Sequence, residues 1–217
     1  MERTVAEILL GLGAVTLRAD PPYRWASGIL SPIYTDNRLL LSFPAERKVI
    51  IDSMQCLMGM KKMRADVVAG VESSGIPWAS WLADRTGLPL VYVRKAAKDH
   101  GRENLIEGKL EAGKRVLLVE DLVSTGQSSV AAVEALRDAG AVVEDCMAIF
   151  SYGLGTARER FRSACCRLST LTDFPTLIKV AAELGTLRKE DMEGVLEWAK
   201  DPEAWGASRR PASGPDA

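Results

Sequence analysis

Val116-Leu117-Leu118-Val119-Glu120-Asp121-Leu122-Val123-Ser124-Thr125-Gly126-Gln127-Ser128-Ser129 decides how this chain is read. Val116 to Val119 form a short continuous apolar run, the kind buried in a parallel sheet. The run ends in two adjacent carboxylates, Glu120 and Asp121. A hydroxyl-rich turn, Ser124-Thr125-Gly126, follows, and then an alanine-rich segment that reads as helix from about Gln127 to Ala139. A strand, an acidic pair, a tight turn and a helix N-terminus together make an anion site. Unpaired N–H groups point out of the first helical turn, the helix dipole favours negative charge there, and Gly126 lets the backbone approach a ligand. Carboxylates do not bind phosphate; they suit hydroxyls or a metal-bound sugar. The implied ligand is a phosphorylated sugar. An ordinary exposed strand end with a turn remains an alternative for this stretch alone.

The stretch is not a Walker loop, because no Gly-Lys-Ser/Thr follows at the required spacing, and it lacks the three glycines of a dinucleotide fingerprint. It resembles the phosphoribosyl-pyrophosphate (PRPP) signature of the type I phosphoribosyltransferases.

Outward from this stretch, apolar runs and helical segments alternate. Asp66 to Val71 reads as a strand ending in Glu72-Ser73-Ser74-Gly75, with a helix from about Ile76 to Arg85. Pro89 to Val93 is a further strand, running into a charged segment from Lys95 to Gly108. After the central stretch come a strand from about Val142 to Phe150, a helix near Ala157 to Arg162 and a short strand, Leu168 to Leu171. Before it, Val5, Ile8, Leu9 and Leu12 share a helical face, and Pro44 suits the first turn of a helix carrying Val49, Ile50, Met54 and Leu57. Two closing helices are expected, about Pro175 to Leu184 (capped by Asp173, stopped at Gly185) and Lys189 to Lys200. The alternation predicts an α/β domain with a mostly parallel central sheet flanked by helices. Such sheets bind ligands beyond the carboxyl ends of their strands, where Glu72 to Gly75, Arg94 to Gly101 and Glu120 to Ser128 all fall.

The chain has 217 residues, enough for one large domain with a substantial core. We expect one domain over 1–205, with a small N-terminal hood over about 1–40 and C-terminal elements, and a disordered tail over 206–217. The formal net charge of −1 and the lack of basic runs give no case for nucleic-acid binding. No apolar stretch approaches the roughly 20 residues that span a membrane, and the acidic N-terminus does not read as a signal peptide. The four cysteines (Cys56, Cys146, Cys165, Cys166) lack Cys-x-x-Cys spacing and there is one histidine. Buried free thiols in a reducing compartment, by default the cytoplasm, are the simplest reading.

Arg94-Lys95-Ala96-Ala97-Lys98-Asp99-His100-Gly101 is the other unusual segment, with three cations and the only histidine. A charge run is usually a solvated loop. This one begins at a strand end beside the expected phosphate site, and a pyrophosphate needs several donors at once. With it the resemblance narrows. Ser27 to Arg38 (Ser-Gly-Ile-Leu-Ser-Pro-Ile-Tyr-Thr-Asp-Asn-Arg), Gly70 to Pro77, Arg94 to Gly101 with Ile106-Glu107-Gly108, and Glu120 to Ser128 are together similar to the orotate phosphoribosyltransferases. Phe150 to Leu154 and Leu171 to Phe174 match one bacterial branch, and the likeness covers about residues 5–185.

The resemblance implies the type I phosphoribosyltransferase fold and a reaction in which orotate and PRPP give orotidine 5′-monophosphate and pyrophosphate, with Mg²⁺. It implies that Leu122, Val123, Ser124, Thr125, Gly126, Gln127 and Ser128 hold the 5′-phosphate. Glu120 and Asp121 would lie beneath the ribose, and Ser73 and Ser74 in the pyrophosphate turn, where the Glu72–Ser73 peptide is expected to be cis. Arg94, Lys95, Lys98 and His100 would close over the pyrophosphate, with Lys98, Asp121 and Glu120 as the catalytic set. The loop would reach a neighbouring subunit's site, implying a homodimer. Mg²⁺ would be held mainly by substrate oxygens, with no dedicated protein ligands. Orotate would sit under the hood near Ser124. Its carboxylate partner is open, because Ala26 and Ser74 stand where many relatives have lysine, and Tyr152-Gly153 where some have Asp-Arg. Arg38 is the candidate, with a hood-stabilising salt bridge to Asp36 as the alternative. Trp25, Trp78 and Trp81 are read as packing residues. A non-catalytic PRPP sensor and a purine phosphoribosyltransferase are the competing functions; the Arg94 to Gly101 loop argues against the first, and hood and loop together against the second.

Overall fold

The computed structural model describes residues 1–18, 20–25, 28–95 and 105–208. Its centre is a six-stranded sheet of β5 (Val67–Val71), β6 (Leu90–Val93), β7 (Ile106–Glu107), β8 (Arg115–Val123), β9 (Val142–Ser151) and β10 (Arg167–Asp173), in the order β10-β9-β8-β5-β6-β7. All neighbours are parallel except β6 and β7. The helices joining the strands are α3 (Gly75–Thr86), α4 (Gln127–Asp138) and α5 (Gly155–Ser163).

The period-two alternation of β8 splits the core into two layers. Leu117 and Val119 enter a cluster with α1 (Glu2–Gly11), α2 (Pro44–Met60), α3 and α6 (Phe174–Glu183). Val116 and Leu118 enter the opposite cluster, with Ala132, Val133 and Leu136 of α4 and Phe161 of α5. Every residue of the run is buried because helices cover both faces.

The acid pair does not end the strand, although the apolar run stops there. Leu122 and Val123 still pair with Phe150 and Ser151 of β9, so Glu120 and Asp121 are strand residues. The Leu168 to Leu171 strand likewise extends, to Arg167–Asp173 at the sheet edge.

The N-terminal part forms two small antiparallel pairs: β1 (Val15–Leu17) with β4 (Ile33–Thr35), and β2 (Tyr23–Arg24) with β3 (Leu30–Ser31). A 3₁₀ turn over Asn37–Ser42 leads into α2, and the Asp36 side chain caps it by accepting from the Arg38 N–H. Asp173 accepts from the Thr176 N–H and starts α6.

Two expectations need correction at the C-terminus. The segment from Lys189 is not one helix; a 3₁₀ turn (Lys189–Asp191) precedes α7 (Met192–Trp198). Residues 206 and 207 are not tail: α8 spans Pro202–Ala207, capped by Asp201, which accepts from the Ala204 N–H. Trp205 is buried and its indole donates to the Gly194 carbonyl. Gly206 is buried too, and a Cβ there would lie 3.3 Å from that of Leu30, so this glycine lets α8 seat on the hood. Trp198 also reaches the hood, donating to the Leu30 carbonyl. Trp205, at the last position of the expected domain, is the side chain that anchors this helix. Residues 209–217 lie outside the described residues.

Candidate active site

The site lies where the carboxyl ends of β5, β6 and β8 meet the hood. Gly75, first residue of α3, has no room for a side chain: a Cβ there would stand 2.6 Å from the Val119 carbonyl and 3.4 Å from Glu120 Oε2. This close approach seats the start of α3 against the acid strand. The turn between β5 and α3 holds the Glu72–Ser73 peptide, which is cis. Gly126, at φ +76°, makes the turn from β8 into α4 and lies against Phe161. Arg160 fixes that turn from α5 by donating to the Thr125 carbonyl at 2.8 Å.

These elements enclose two adjoining cavities that share Lys95 and Ser128. One, of about 240 Å³, is bounded by Asp36, Asn37 and Arg38 of the hood, by Ser73 and Ser74, and by Glu120, Asp121 and Leu122. The other, of about 440 Å³, is bounded by Arg94, Lys95, Thr125, Gln127 and Ser128 over a wall of apolar side chains. Residues that the sequence placed in one PRPP site, from Ser73 and Ser74 through Arg94 and Lys95 to Glu120, Asp121, Thr125 and Ser128, line one cleft. Val123 is buried in the core, so only its backbone can serve a ligand. Ser124 stands in the β8–α4 turn, partly exposed. Lys98 and His100, and Ala26 of the hood, lie outside the described residues.

A larger cavity of about 920 Å³ opens beside edge strand β10. Phe161, Leu168, Phe174 and Leu196 line it, and none of the acid pair, the phosphate turn or Arg94 and Lys95 does. The chemistry-bearing groups converge on the smaller spaces.

The electrostatics of the cleft are uneven. Glu120 is buried, and burial together with the neighbouring Asp121 charge pushes its carboxyl up to about 8, against the hydrogen bond it accepts from Ser129 Oγ at 3.1 Å. Burial also raises Asp121, opposed by backbone N–H groups and by Arg38. At neutral pH Glu120 therefore largely keeps its proton in the ligand-free protein. On the other wall, Arg94 Nη1 is buried without a partner among the described residues. A buried donor left unpaired in a cavity lined by Lys95, Thr125 and Ser128 is suited to a phosphate oxygen.

Arg38 forms a two-pronged ion pair with Asp36, at 2.6 and 2.8 Å, and its side chain is 63% exposed. The salt-bridge alternative is thus realised in this state, with Arg38 still bordering the cavity. Trp78 is buried against Trp81, and Trp25 packs edge-on to Trp198, in keeping with packing roles. Four polar cleft residues were absent from the sequence-derived set, Asp36, already described as the partner of Arg38, being one of them. Glu72 Oε2 accepts from the Lys95 N–H at 2.8 Å, Thr35 borders the smaller cavity, and Asn37, only 1% exposed, donates from Nδ2 to the Asp121 carbonyl at 2.8 Å. A polar residue in a hood loop gives no sequence signal of such burial.

Known proteins resemble this chain in sequence and fold. The phosphoribosyl transferase domain family matches residues 42–169. The orotate phosphoribosyltransferase of Coxiella burnetii is 48% identical over 93% of this chain and 96% of its own length. That of Listeria monocytogenes serotype 4b is also 48% identical, over 95% of this chain and 99% of its own. The crystal structure of orotate phosphoribosyltransferase from Aeropyrum pernix matches with a TM-score of 0.72 and 32% identity, covering 83% of this chain and 98% of that one. The Mycobacterium tuberculosis enzyme, solved in complex with 5-phospho-alpha-D-ribosyl 1-diphosphate, matches with a TM-score of 0.64 and 26% identity, over 82% of this chain and 99% of that one. The fold is that of the type I phosphoribosyltransferases, a mostly parallel sheet with a small N-terminal part. Near-identical length and close to half the residues in common place the chain among the orotate phosphoribosyltransferases of the phosphoribosyl transferase family.

Proposed function

We infer that the chain transfers the 5-phosphoribosyl group of PRPP to orotate, giving orotidine 5′-monophosphate and pyrophosphate in pyrimidine biosynthesis. The observation that carries this reading is the convergence of the acid pair, with Glu120 buried, a helix N-terminus and a buried guanidinium nitrogen without a partner among the described residues on one cleft. The names of relatives at 48% identity supply the base.

The residue roles follow from charge. The turn from Leu122 to Ser128 offers backbone N–H groups and hydroxyls to the 5′-phosphate at the start of α4. Arg94, Lys95 and the hydroxyls of Ser73 and Ser74 are donors for the pyrophosphate, and Lys98 and His100 complete the set as it leaves. In the reaction the bond from C1 to the pyrophosphate oxygen breaks, and the bond from C1 to orotate N1 forms as N1 gives up its proton. Positive charge grows on the sugar between these events. Glu120 and Asp121, beneath it, favour that charge, and the growing charge in turn favours ionisation of Glu120. Ser124 and Arg38 are the residues we assign to orotate; Arg38 meets Asp36 through Nε and Nη2, and a guanidinium has five N–H donors.

Mg²⁺ is the cofactor we assign. Among the described residues no group of three or more His, Cys, Asp or Glu is placed to hold a metal. A hard ion held mainly by pyrophosphate and ribose oxygens, with Asp121 at most as a carboxylate neighbour, fits this donor set. When bound, it offsets charge on the departing pyrophosphate.

We further assign a homodimer with sites shared across the interface. Tyr34, Leu39, Phe43 and Val49, from the hood into α2, are exposed large apolar side chains, which is compatible with burial against a second copy. No helix among the described residues is long and apolar enough to cross a membrane. Four free cysteines, two of them exposed, suit the reducing cytoplasm we propose. The test is a spectrophotometric assay of purified protein with orotate, PRPP and Mg²⁺, run beside hypoxanthine, adenine and uracil. Orotate alone should be consumed; use of uracil or a purine without orotate would overturn the assignment.

A further inference from the structure

Asn37 lies in the hood segment Ser27 to Arg38 but was given no role there, yet it is more deeply buried than either acid. Its Nδ2 donates to the backbone carbonyl of Asp121 at 2.8 Å, joining the hood to the acid strand across 84 positions of sequence. That bond fixes the orientation of the amide, since a flipped side chain would set two acceptors against each other. Oδ1 is then the one polar atom Asn37 has left. It is shielded from bulk water and has no hydrogen-bond partner among the described residues. Asn37 lines the cavity that Asp36, Ser73, Glu120 and Asp121 also border.

A buried acceptor without a donor loses its hydration with no return, and folded proteins rarely leave one so. Here the missing donor fits a ligand. Phosphates bring only acceptors and charge, so Oδ1 is of no use to a 5′-phosphate or a pyrophosphate and would repel either. The sugar–base portion of the substrate is different: ribose hydroxyls and the N–H of a pyrimidine are donors. We propose that Asn37 is a specificity-determining residue whose Oδ1 accepts a hydrogen bond from an O–H or N–H donor on the sugar–base portion of the substrate. The inference rests on the reading of this cleft as the PRPP and orotate site.

The same amide does two things at once. Nδ2 holds the hood at a set height above Asp121, and Oδ1 reads what lies between them. A carboxylate at this position would repel the Asp121 carbonyl, whereas a protonated carboxyl would reproduce both functions with one O–H donor and one free oxygen. This gives a variant that can be switched.

The experiment compares wild type, Asn37→Ala and Asn37→Asp, each checked for folding by circular dichroism and for activity. Calorimetric titration gives dissociation constants for PRPP and for pyrophosphate, and steady-state kinetics gives KM for orotate. A ribose donor predicts that Asn37→Ala weakens PRPP about tenfold while pyrophosphate binding stays unchanged. A base N–H donor predicts unchanged PRPP binding and an orotate KM raised about tenfold. Either supports the proposal and says which donor it is. Asn37→Asp should fall short of wild type at pH 8 and approach it at pH 5.5, as the carboxyl takes up its proton. PRPP and orotate constants both within twofold of wild type in Asn37→Ala would overturn the proposal, as would PRPP and pyrophosphate weakening in step. Wild-type turnover of orotate, measured in the same series, separates that outcome from a wrong assignment of the reaction.

Discussion

Replacing Glu120 by glutamine should make the ligand-free protein more stable, and increasingly so as pH rises. The carboxyl is buried beside Asp121 and sits at about 8, against 4.5 for the ordinary group. The folded state therefore binds this proton more tightly than the unfolded chain does. That proton linkage stabilises the fold fully below pH 4.5 and is lost as pH rises through about 8. Glutamine has no proton to lose, fills the same volume and still accepts from Ser129 Oγ, now 3.1 Å from Oε1. The interval from 4.5 to 8 corresponds to about 5 kcal/mol at full ionisation. Between pH 5 and pH 8 the advantage of Glu120→Gln over wild type should grow by about 3 kcal/mol. Urea unfolding at pH 5, 6, 7 and 8, without PRPP or pyrophosphate, measures it. Equal pH dependence in the two proteins would refute the reasoning, because Glu120 would then ionise as freely folded as unfolded. The same variant should be slower by one to two orders of magnitude, roughly, since a neutral amide cannot meet the charge that grows on the sugar. Stability gained and rate lost at one position is the expected signature of a strained functional acid.

Four further outcomes follow from the cleft. Lys98→Ala should lower kcat about a hundredfold and weaken PRPP binding less than tenfold, because its charge matters most as pyrophosphate leaves; equal losses in single-turnover kinetics and titration would make it an anchor only. Equal mixtures of inactive Lys98→Ala and Asp121→Asn protein, unfolded and refolded together, should recover about a quarter of wild-type activity if dimers share their sites; no recovery counts against sharing. Gly75→Ala should cost about 1–3 kcal/mol in urea unfolding, because its Cβ would meet the Val119 carbonyl at 2.6 Å. Arg38→Ala should change stability by less than about 1 kcal/mol, its ion pair with Asp36 being largely exposed, and should raise the orotate KM; an unchanged KM would leave Arg38 as a hood brace.

The centre of the parallel sheet was legible in sequence because β5 and the Val116 to Val119 part of β8 are buried on both faces, and such strands read as unbroken apolar runs. The phosphate turn was legible because a loop that cradles an anion needs glycine and hydroxyls at the start of a helix. The end of β8 was not. Sequence breaks at Glu120, since a carboxylate inside a sheet is penalised by burial, yet the ladder to Phe150 and Ser151 carries the strand past it. The failure falls at the site itself, where local preference and function pull in different directions. α8 escaped for a different reason. Its six residues hold Pro, Gly and two alanines, and the helix depends on Asp201 as a cap and on Trp205 finding a partner in Gly194.

Glu120 and Asn37 together show what the acid pair requires from the rest of the fold. A carboxyl at about 8 holds its proton until something positive arrives, so the ligand-free cleft avoids two adjacent buried charges. The strand backbone beneath it is held from above by the hood through Asn37 and from beside by the start of α3, where Gly75 permits contact. Neither Asn37 nor Gly75 carries a charge, so neither supplies the missing positive charge. The sugar would supply it, as its bond to pyrophosphate breaks. The acid is thus placed to respond to the reaction more strongly than to the bound substrate, which is the condition for raising kcat without tightening the ground state.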